Sequence, residues 1–395
     1  MRIGLVSEWW LPCLGGAETS IEQLAFELKS RGVFAGACCA CPELSDNDAE
    51  NGRVPVTRGT ALQSPSAGPV MEVLTAFESS GAADRWFDAV RDWAVENKLT
   101  HCIINDLRID DLGLVARLRD VGVIVGQMWH GYWDQRFWRG LTKAFLDSRH
   151  WPTALDALDR QIAAGDLILS DSFGIPRLDA FDFHISNSAT IKRALAKDDD
   201  RVFVLHPPLN LAPAAAPLAP RVNATISNPN VWKGGLISAS MAVYSPPELT
   251  FRIMLPGWQN SEQTGSLTHW LKDDALATED RIALSKPVWP SRRFLDATDV
   301  VVAPSRIEPY GMLAAEALSY GTPVITTDIP TIRESVGDGA MLVPVDAHPG
   351  VWIEALNELL GDLPTWRQRA RRRGAELADR QTAELDQLVE FLERR

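Results

Sequence analysis

The chain has 395 residues, of which 46% are hydrophobic, and a formal net charge of −13. That length exceeds one ordinary core, so two domains are expected, and the apolar content is that of a globular protein without a long disordered part. The acidic balance argues against a surface that coats nucleic acid, while leaving room for a local positive site that takes a phosphorylated small molecule.

The chain runs from Met1-Arg2 directly into the apolar stretch Ile3 to Val6, with no long leader-like h-region. A helical pattern follows over residues 18–31. The cysteines are Cys13, Cys38, Cys39, Cys41 and Cys102, an odd count with no spacing framework. That fits a reducing cytoplasm. The cluster "CCAC" lacks a second Cys or His pair at ligand spacing, so it reads as a buried strand of small residues rather than a metal site. "HCIIN", "VGVIVG" and "DLILS" then recur between amphipathic segments, and "ATISN", "LTFRIMLP", "RIALS", "DVVVAPS" and "TPVITT" do so in the second half. Such alternation predicts parallel sheets covered by helices on both faces. No stretch reaches the roughly 20 apolar residues of a membrane span.

Between the halves, "HPPLNLAPAAAPLAP" holds five prolines and no charge. Proline fixes φ and lacks a donor, which excludes a central strand or a long helix. The boundaries that follow are a Rossmann-like N-terminal domain over 1–205, a linker over 206–221, and a Rossmann-like C-terminal domain over 222–374. A last helix over 375–395 is expected to pack back toward the first domain, with a break near Gly374. Doubly wound sheets bind ligands at the carboxyl ends of their strands. Two such domains would face each other across a central cleft.

Four strand ends carry candidate chemistry. "SEWWLPCLGGAETSIEQL" places Gly15-Gly16 before a helix, either as an anion-accepting turn or as a tight strand-to-helix connection. His130, in "IVGQMWHGYWDQRF", follows a strand; it is either a donor or acceptor at the cleft or a histidine packed among Trp129, Tyr132 and Trp133. Lys233, in "SNPNVWKGG", sits beside a glycine-opened helix as a phosphate clamp or as an ordinary exposed lysine. The fourth stretch, "EPYGMLAAE", is the most specific. Pro309 pushes Glu308 into the loop after "DVVVAPS", Gly311 opens a helix over 312–320, and Glu316 lies about one turn in, roughly 6 Å along the axis. A diphosphate at that helix start would lie between two carboxylates suited to sugar and ribose hydroxyls.

"EPYGMLAAEALSYGTPVITTDIPTIRESVGDGAMLVP" resembles the donor-site signature of glycosyltransferase family 4, the group 1 glycosyl transferases, retaining enzymes of the GT-B fold. "PCLGGAETSIEQLAFELKSRG", "DFHISNSATIKRAL" and the Lys-Gly of "VWKGG" fall in the family's order, while residues 42–100 match loosely. The resemblance implies a metal-independent transfer of a sugar from a nucleoside-diphosphate sugar, with no further cofactor. By it, Glu316 would hold the ribose and Glu308 the transferred sugar. The amides of Gly311, Met312 and Leu313, with Lys233, would bind the diphosphate. His130 would lie near the donor sugar, and Gly16 in the loop closing on the phosphates and acceptor. His130, Glu308 and Lys233 are the catalytic candidates; Glu18 and Trp129 are candidates for the acceptor side. The acceptor would be a small molecule, a lipid-linked molecule or a glycan. The five arginines of "WRQRARRRGAEL" offer either a solvated helix face or weak peripheral contact with a membrane.

One departure stands out. The family commonly has an arginine shortly before the phosphate lysine, and here Asn228 stands about there. It motivates one other reading, a nucleotide-sugar-binding protein with weak turnover; a GT-B sugar-nucleotide epimerase is a separate alternative. A glycoside hydrolase also uses two carboxylates, but has no need of a helix start between them.

Overall fold

Apolar runs that do not alternate become strands buried on both faces. The computed structural model describes residues 1–10, 16–41, 54, 56–61, 76–105, 112–130, 178–196, 200–211, 220–228, 233–255, 281–285, 291–306 and 308–395. The expected strand "DLILS", Gly15, Tyr132 and Trp133 lie outside those residues. The chain divides into two compact units, residues 1–208 with 383–395, and residues 209–382.

The first unit holds a seven-stranded sheet. Its strands are β1 (Ile3–Ser7), β2 (Phe34–Cys39), β3 (Val56–Arg58), β4 (His101–Asn105), β5 (Ile124–Trp129), β6 (Phe183–Ser186) and β7 (Val202–Val204). Their order is β3-β2-β1-β4-β5-β6-β7, and every pair is parallel. Helices α1 (Gly16–Ser30), α2 (Ala82–Glu96), α3 (Leu112–Asp120) and α4 (Ala189–Ala196) connect them. All five residues of β1 and of β4 are buried, as a parallel sheet covered on both faces requires. Cys38, Cys39, Ala40 and Cys41 are buried at the end of β2, and burial pushes the Cys38 thiol up to about 12. The expected strand in "VGVIVG" starts later than its apolar run. Gly122 has φ 80 in the turn after α3, and β5 runs on to Trp129.

The second unit repeats the scheme with β8 (Val222–Ser227), β9 (Phe251–Met254), β10 (Ile282–Ser285), β11 (Thr298–Ala303), β12 (Val324–Thr327) and β13 (Met341–Val343). The order is β10-β9-β8-β11-β12-β13, again parallel. Its helices are α5 (Gly235–Tyr244), α6 (Arg292–Leu295), α7 (Met312–Ser319), α8 (Pro330–Val336), α9 (Pro349–Gly361) and α10 (Leu363–Glu393). The period of two along β11 builds two cores. Val300 and Val302 pack with Trp352 and Leu356 on one face, while Val301 packs with Ala314, Leu318 and Ile332 on the other.

The last helix corrects the sequence reading. α10 passes through Gly374 without a break. A Cβ at Gly374 would lie 2.5 Å from the Leu318 carbonyl oxygen and 2.6 Å from Ser319 Cα. The glycine is there to let α10 touch the end of α7, not to stop a helix. The arginines of α10 are also largely spoken for within the second unit. Arg367 pairs with Asp299 at 2.9 Å, Arg372 pairs with Asp338, and Arg373 donates to the carbonyls of Ser335 and Glu334 at 3.1 and 2.9 Å. Arg369 lies over the Trp366 ring at 4.7 Å.

Candidate nucleotide-sugar site

In both sheets the strand order reverses beside the first strand, at β1/β4 and at β8/β11. Ligands of doubly wound folds sit at the carboxyl ends of strands at this switch point. In the second unit, β8 and β11 are paired neighbours, with Ile226 beside Val302. The loops leaving them bring Lys233 and Glu308 together across 75 positions of sequence. Lys233 Nζ lies 2.5 Å from Glu308 Oε2. A Cβ at Gly234 would lie 2.0 Å from the Pro304 carbonyl oxygen, so only glycine lets the Lys233 turn press against the end of β11. Ser305 Oγ donates to Glu308 Oε2 at 3.3 Å, and the Thr331 hydroxyl donates to the Glu308 carbonyl.

Gly311 precedes α7 with φ 85, and no side chain caps this helix. Its Cβ would stand 2.5 Å from Ile332 Cδ1. The first-turn amides of a helix have no partner within it, so those of Met312 and Leu313 form a positive end without competition from a capping side chain. Glu316, the fifth residue of α7, is only 5% exposed. Ser291 Oγ donates to its Oε2 at 2.6 Å. Its Oε1 is buried with no hydrogen-bond partner among the described residues. Burial pushes the Glu316 carboxyl up to about 7, and the Ser291 hydrogen bond offsets part of that.

Asn228 follows β8 directly and has φ 52, with its N–H donating to the Met254 carbonyl at 2.8 Å. Asparagine tolerates the left-handed region better than arginine does, which gives a backbone reason for its presence. Arg292 donates Nε to Asp296 at 2.9 Å and lies over the Tyr320 ring at 4.8 Å.

The first unit gathers a polar chain at its own strand ends. His130 follows β5, and its Nε2 is hydrogen-bonded to Asn105 Oδ1 at the end of β4. Asn105 Nδ2 donates to Ser7 Oγ at the end of β1, at 2.9 Å. Asn187 Nδ2, after β6, donates to the His130 carbonyl at 2.9 Å. Ser7, Asn105 and Asn187 escaped the sequence reading, although each closes an apolar strand: "IGLVS", "HCIIN" and "FHISN". Trp129 is buried, and its indole N–H donates to His184 Nδ1 at 3.0 Å, so its ring is committed to packing within the unit. Gly16 is the exposed first residue of α1, and Glu18 lies half-buried in its first turn.

Residues 237–362, most of the second unit's sheet and helices, match the family model described as glycosyl transferases group 1. Over that stretch, about a third of the chain, the second unit is similar to the group 1 glycosyl transferases. The D-inositol 3-phosphate glycosyltransferase of Paenarthrobacter aurescens is 31% identical over 122 residues, 30% of this chain and 29% of that protein. The chain thus aligns with less than a third of that relative's length. The fold of the whole chain is shared more widely. The Anabaena protein HepE, solved in complex with UDP and glucose, superposes over 100% of this chain and 99% of its own, with a TM-score of 0.69 at 17% identity. The UDP-GlcNAc 2-epimerase of Neisseria meningitidis, bound to UDP-GlcNAc, covers 100% of both chains with a TM-score of 0.54 at 14% identity. Two Rossmann-like doubly wound units of the GT-B kind are therefore what this chain folds into. Among the described residues, no helix is long and apolar enough to cross a membrane.

Proposed function

We propose that the chain is a cytoplasmic glycosyltransferase that moves a sugar from a nucleoside-diphosphate sugar to an acceptor hydroxyl, with retention at the anomeric carbon and without a metal. The observation that carries the reading is Glu316. A buried carboxylate with one oxygen left without a partner among the described residues, one turn inside a helix that no side chain caps, suits a ribose hydroxyl next to a diphosphate. In this reading the amides of Gly311, Met312 and Leu313 hold the diphosphate. As the sugar–oxygen bond breaks, charge grows on the leaving phosphate, and those amides with Lys233 stabilise it. Before donor arrives, Lys233 is paired with Glu308. The diphosphate takes over the ammonium, and the Glu308 carboxylate turns to hydroxyls of the transferred sugar. His130 is assigned to the transferred sugar, and Gly16 to the loop closing on the phosphates and acceptor. Glu18 serves the acceptor side. The acceptor is a small molecule, a lipid-linked molecule or a glycan. The family model supports transfer; the likeness to an epimerase supports a second reading, sugar-nucleotide isomerisation without acceptor.

A thermal-shift panel of UDP, GDP, ADP and their sugar conjugates tests the site. Ligands that bind only the native state raise its melting temperature by mass action. At least one nucleotide should stabilise the wild type, and Glu316→Ala should lose most of that shift. Equal shifts in both proteins would remove Glu316 from the ribose. Product analysis of the stabilising sugar nucleotide, with EDTA and with or without acceptors, separates transfer from isomerisation and reads the anomer formed.

A further inference from the structure

Ser291 stands at the N-cap of α6, immediately before Arg292. Serine is favoured at that position because its hydroxyl accepts from an early amide of its own helix. Here it makes no such bond. Only the Ser291 carbonyl serves α6, accepting from the amides of Phe294 and Leu295, both at 3.1 Å. The hydroxyl instead donates to Glu316 Oε2 at 2.6 Å, 25 positions away on another helix. Both residues are 5% exposed. The bond is buried and charge-assisted whenever Glu316 is ionised, which puts it among the stronger neutral-to-charged hydrogen bonds.

A carboxylate at the end of three side-chain torsions can turn either oxygen toward a ligand. A single short bond to one oxygen removes that freedom and fixes which lone pairs remain. Glu316 Oε1 is the oxygen left without a hydrogen-bond partner among the described residues. We propose that Ser291 is the positioning residue for Glu316: its hydroxyl holds Oε2 and leaves Oε1 aimed to accept from a ribose hydroxyl of the donor. This rests on the reading that Glu316 takes the ribose. Because Ser291 acts through Glu316, it governs ribose recognition without touching the diphosphate.

The test compares ribo- and 2′,3′-dideoxy-nucleotides. Whichever of UDP, GDP or ADP stabilises the wild type most is titrated calorimetrically against its dideoxy form. The proteins are wild type, Ser291→Ala, Ser291→Thr and Glu316→Gln. The wild type should prefer the ribonucleotide by about tenfold or more, the worth of one good charge-assisted hydrogen bond. Glu316→Gln should lose most of that preference. Ser291→Ala should lose three- to tenfold of it, with inorganic pyrophosphate bound as in the wild type, and Ser291→Thr should restore it. A merely structural serine would lower affinity for ribo and dideoxy forms alike, leaving their ratio intact.

The failures are distinguishable. If Glu316→Gln keeps the full preference, or no nucleotide binds the wild type, the ribose assignment falls and this proposal with it. If Glu316→Gln loses the preference while Ser291→Ala keeps it, the ribose assignment survives and the role of Ser291 does not. If Ser291→Ala does not fold, the threonine variant decides: it retains a hydroxyl, so a preference reduced to that of Glu316→Gln overturns the proposal.

Discussion

Glu316 has a consequence that needs no ligand. Its carboxyl titrates near 7 in the native state rather than at its ordinary 4.5, because burial disfavours the charged form. Between those two values the native state holds a proton that the unfolded chain has lost. Stability therefore falls as pH rises from about 4.5 to 7, and the full penalty stands above that window. Glu316→Gln lacks the titration. Its stability relative to the wild type should improve by roughly 2–3 kcal/mol between pH 5 and pH 8, the worth of a shift of that size. Urea unfolding at the two pH values measures it, and a relative stability independent of pH would mean that Glu316 is solvated. At this scale half of the proposed site was legible. Glu308, Gly311 and Glu316 announce themselves because they lie within nine consecutive residues. Ser291 does not, because serine before a short helix looks like an ordinary cap, and only the fold shows that its hydroxyl turns away. Asn105 and Asn187 were hidden for another reason: a polar residue closing a strand is common, and its link to His130 spans three strands.

Among the elements, most described strands followed their apolar runs, β5 starting late, while α10 did not follow its glycine. A helix interior pays about 1 kcal/mol for glycine relative to alanine, so propensity alone predicts that Gly374→Ala is stabilising. The contact with α7 predicts the reverse. A methyl group there meets the Leu318 carbonyl and Ser319 Cα, both backbone, which cannot swing aside. We expect Gly374→Ala to lower stability by roughly 1–3 kcal/mol, the usual cost of overpacking. A melting temperature that rises would show that α10 and α7 have room to separate. The arginines of α10 teach the same lesson. Their run suggested a solvated or membrane-facing helix, yet Arg367 and Arg373 are taken by Asp299 and by carbonyls at the end of α8. A one-dimensional charge run carries no record of the acceptors that another element will present.

At the level of the whole molecule, the last 13 residues belong to the first unit, far from it in sequence. Leu385, Leu388 and Leu392 are fully buried, and Phe391 packs against Phe183 and Phe203 with ring centroids at 6.0 and 5.3 Å. Glu384 holds His206 through Nδ1 at 2.7 Å and through its amide at 3.0 Å. At about 1.5–3 kcal/mol for each buried side chain, those four contribute roughly 6–12 kcal/mol, comparable with the whole stability of a domain. A chain ending at Thr382 should therefore lose hydrogen-exchange protection in β5, β6 and β7, while β8, β11 and β12 keep theirs. Uniform protection in both sheets would show that the segment only covers a unit already complete.

The sequence by itself determined the parallel two-unit architecture and the placing of Glu308 before α7 and Glu316 within it, because strand burial and a helix start are set by neighbours a few residues apart. Only the tertiary structure decided that Lys233 meets Glu308, that Ser291 holds one oxygen of Glu316, and that α10 runs unbroken past Gly374. Each of those depends on atoms brought together from distant parts of the chain, and no local pattern encodes the distance between them.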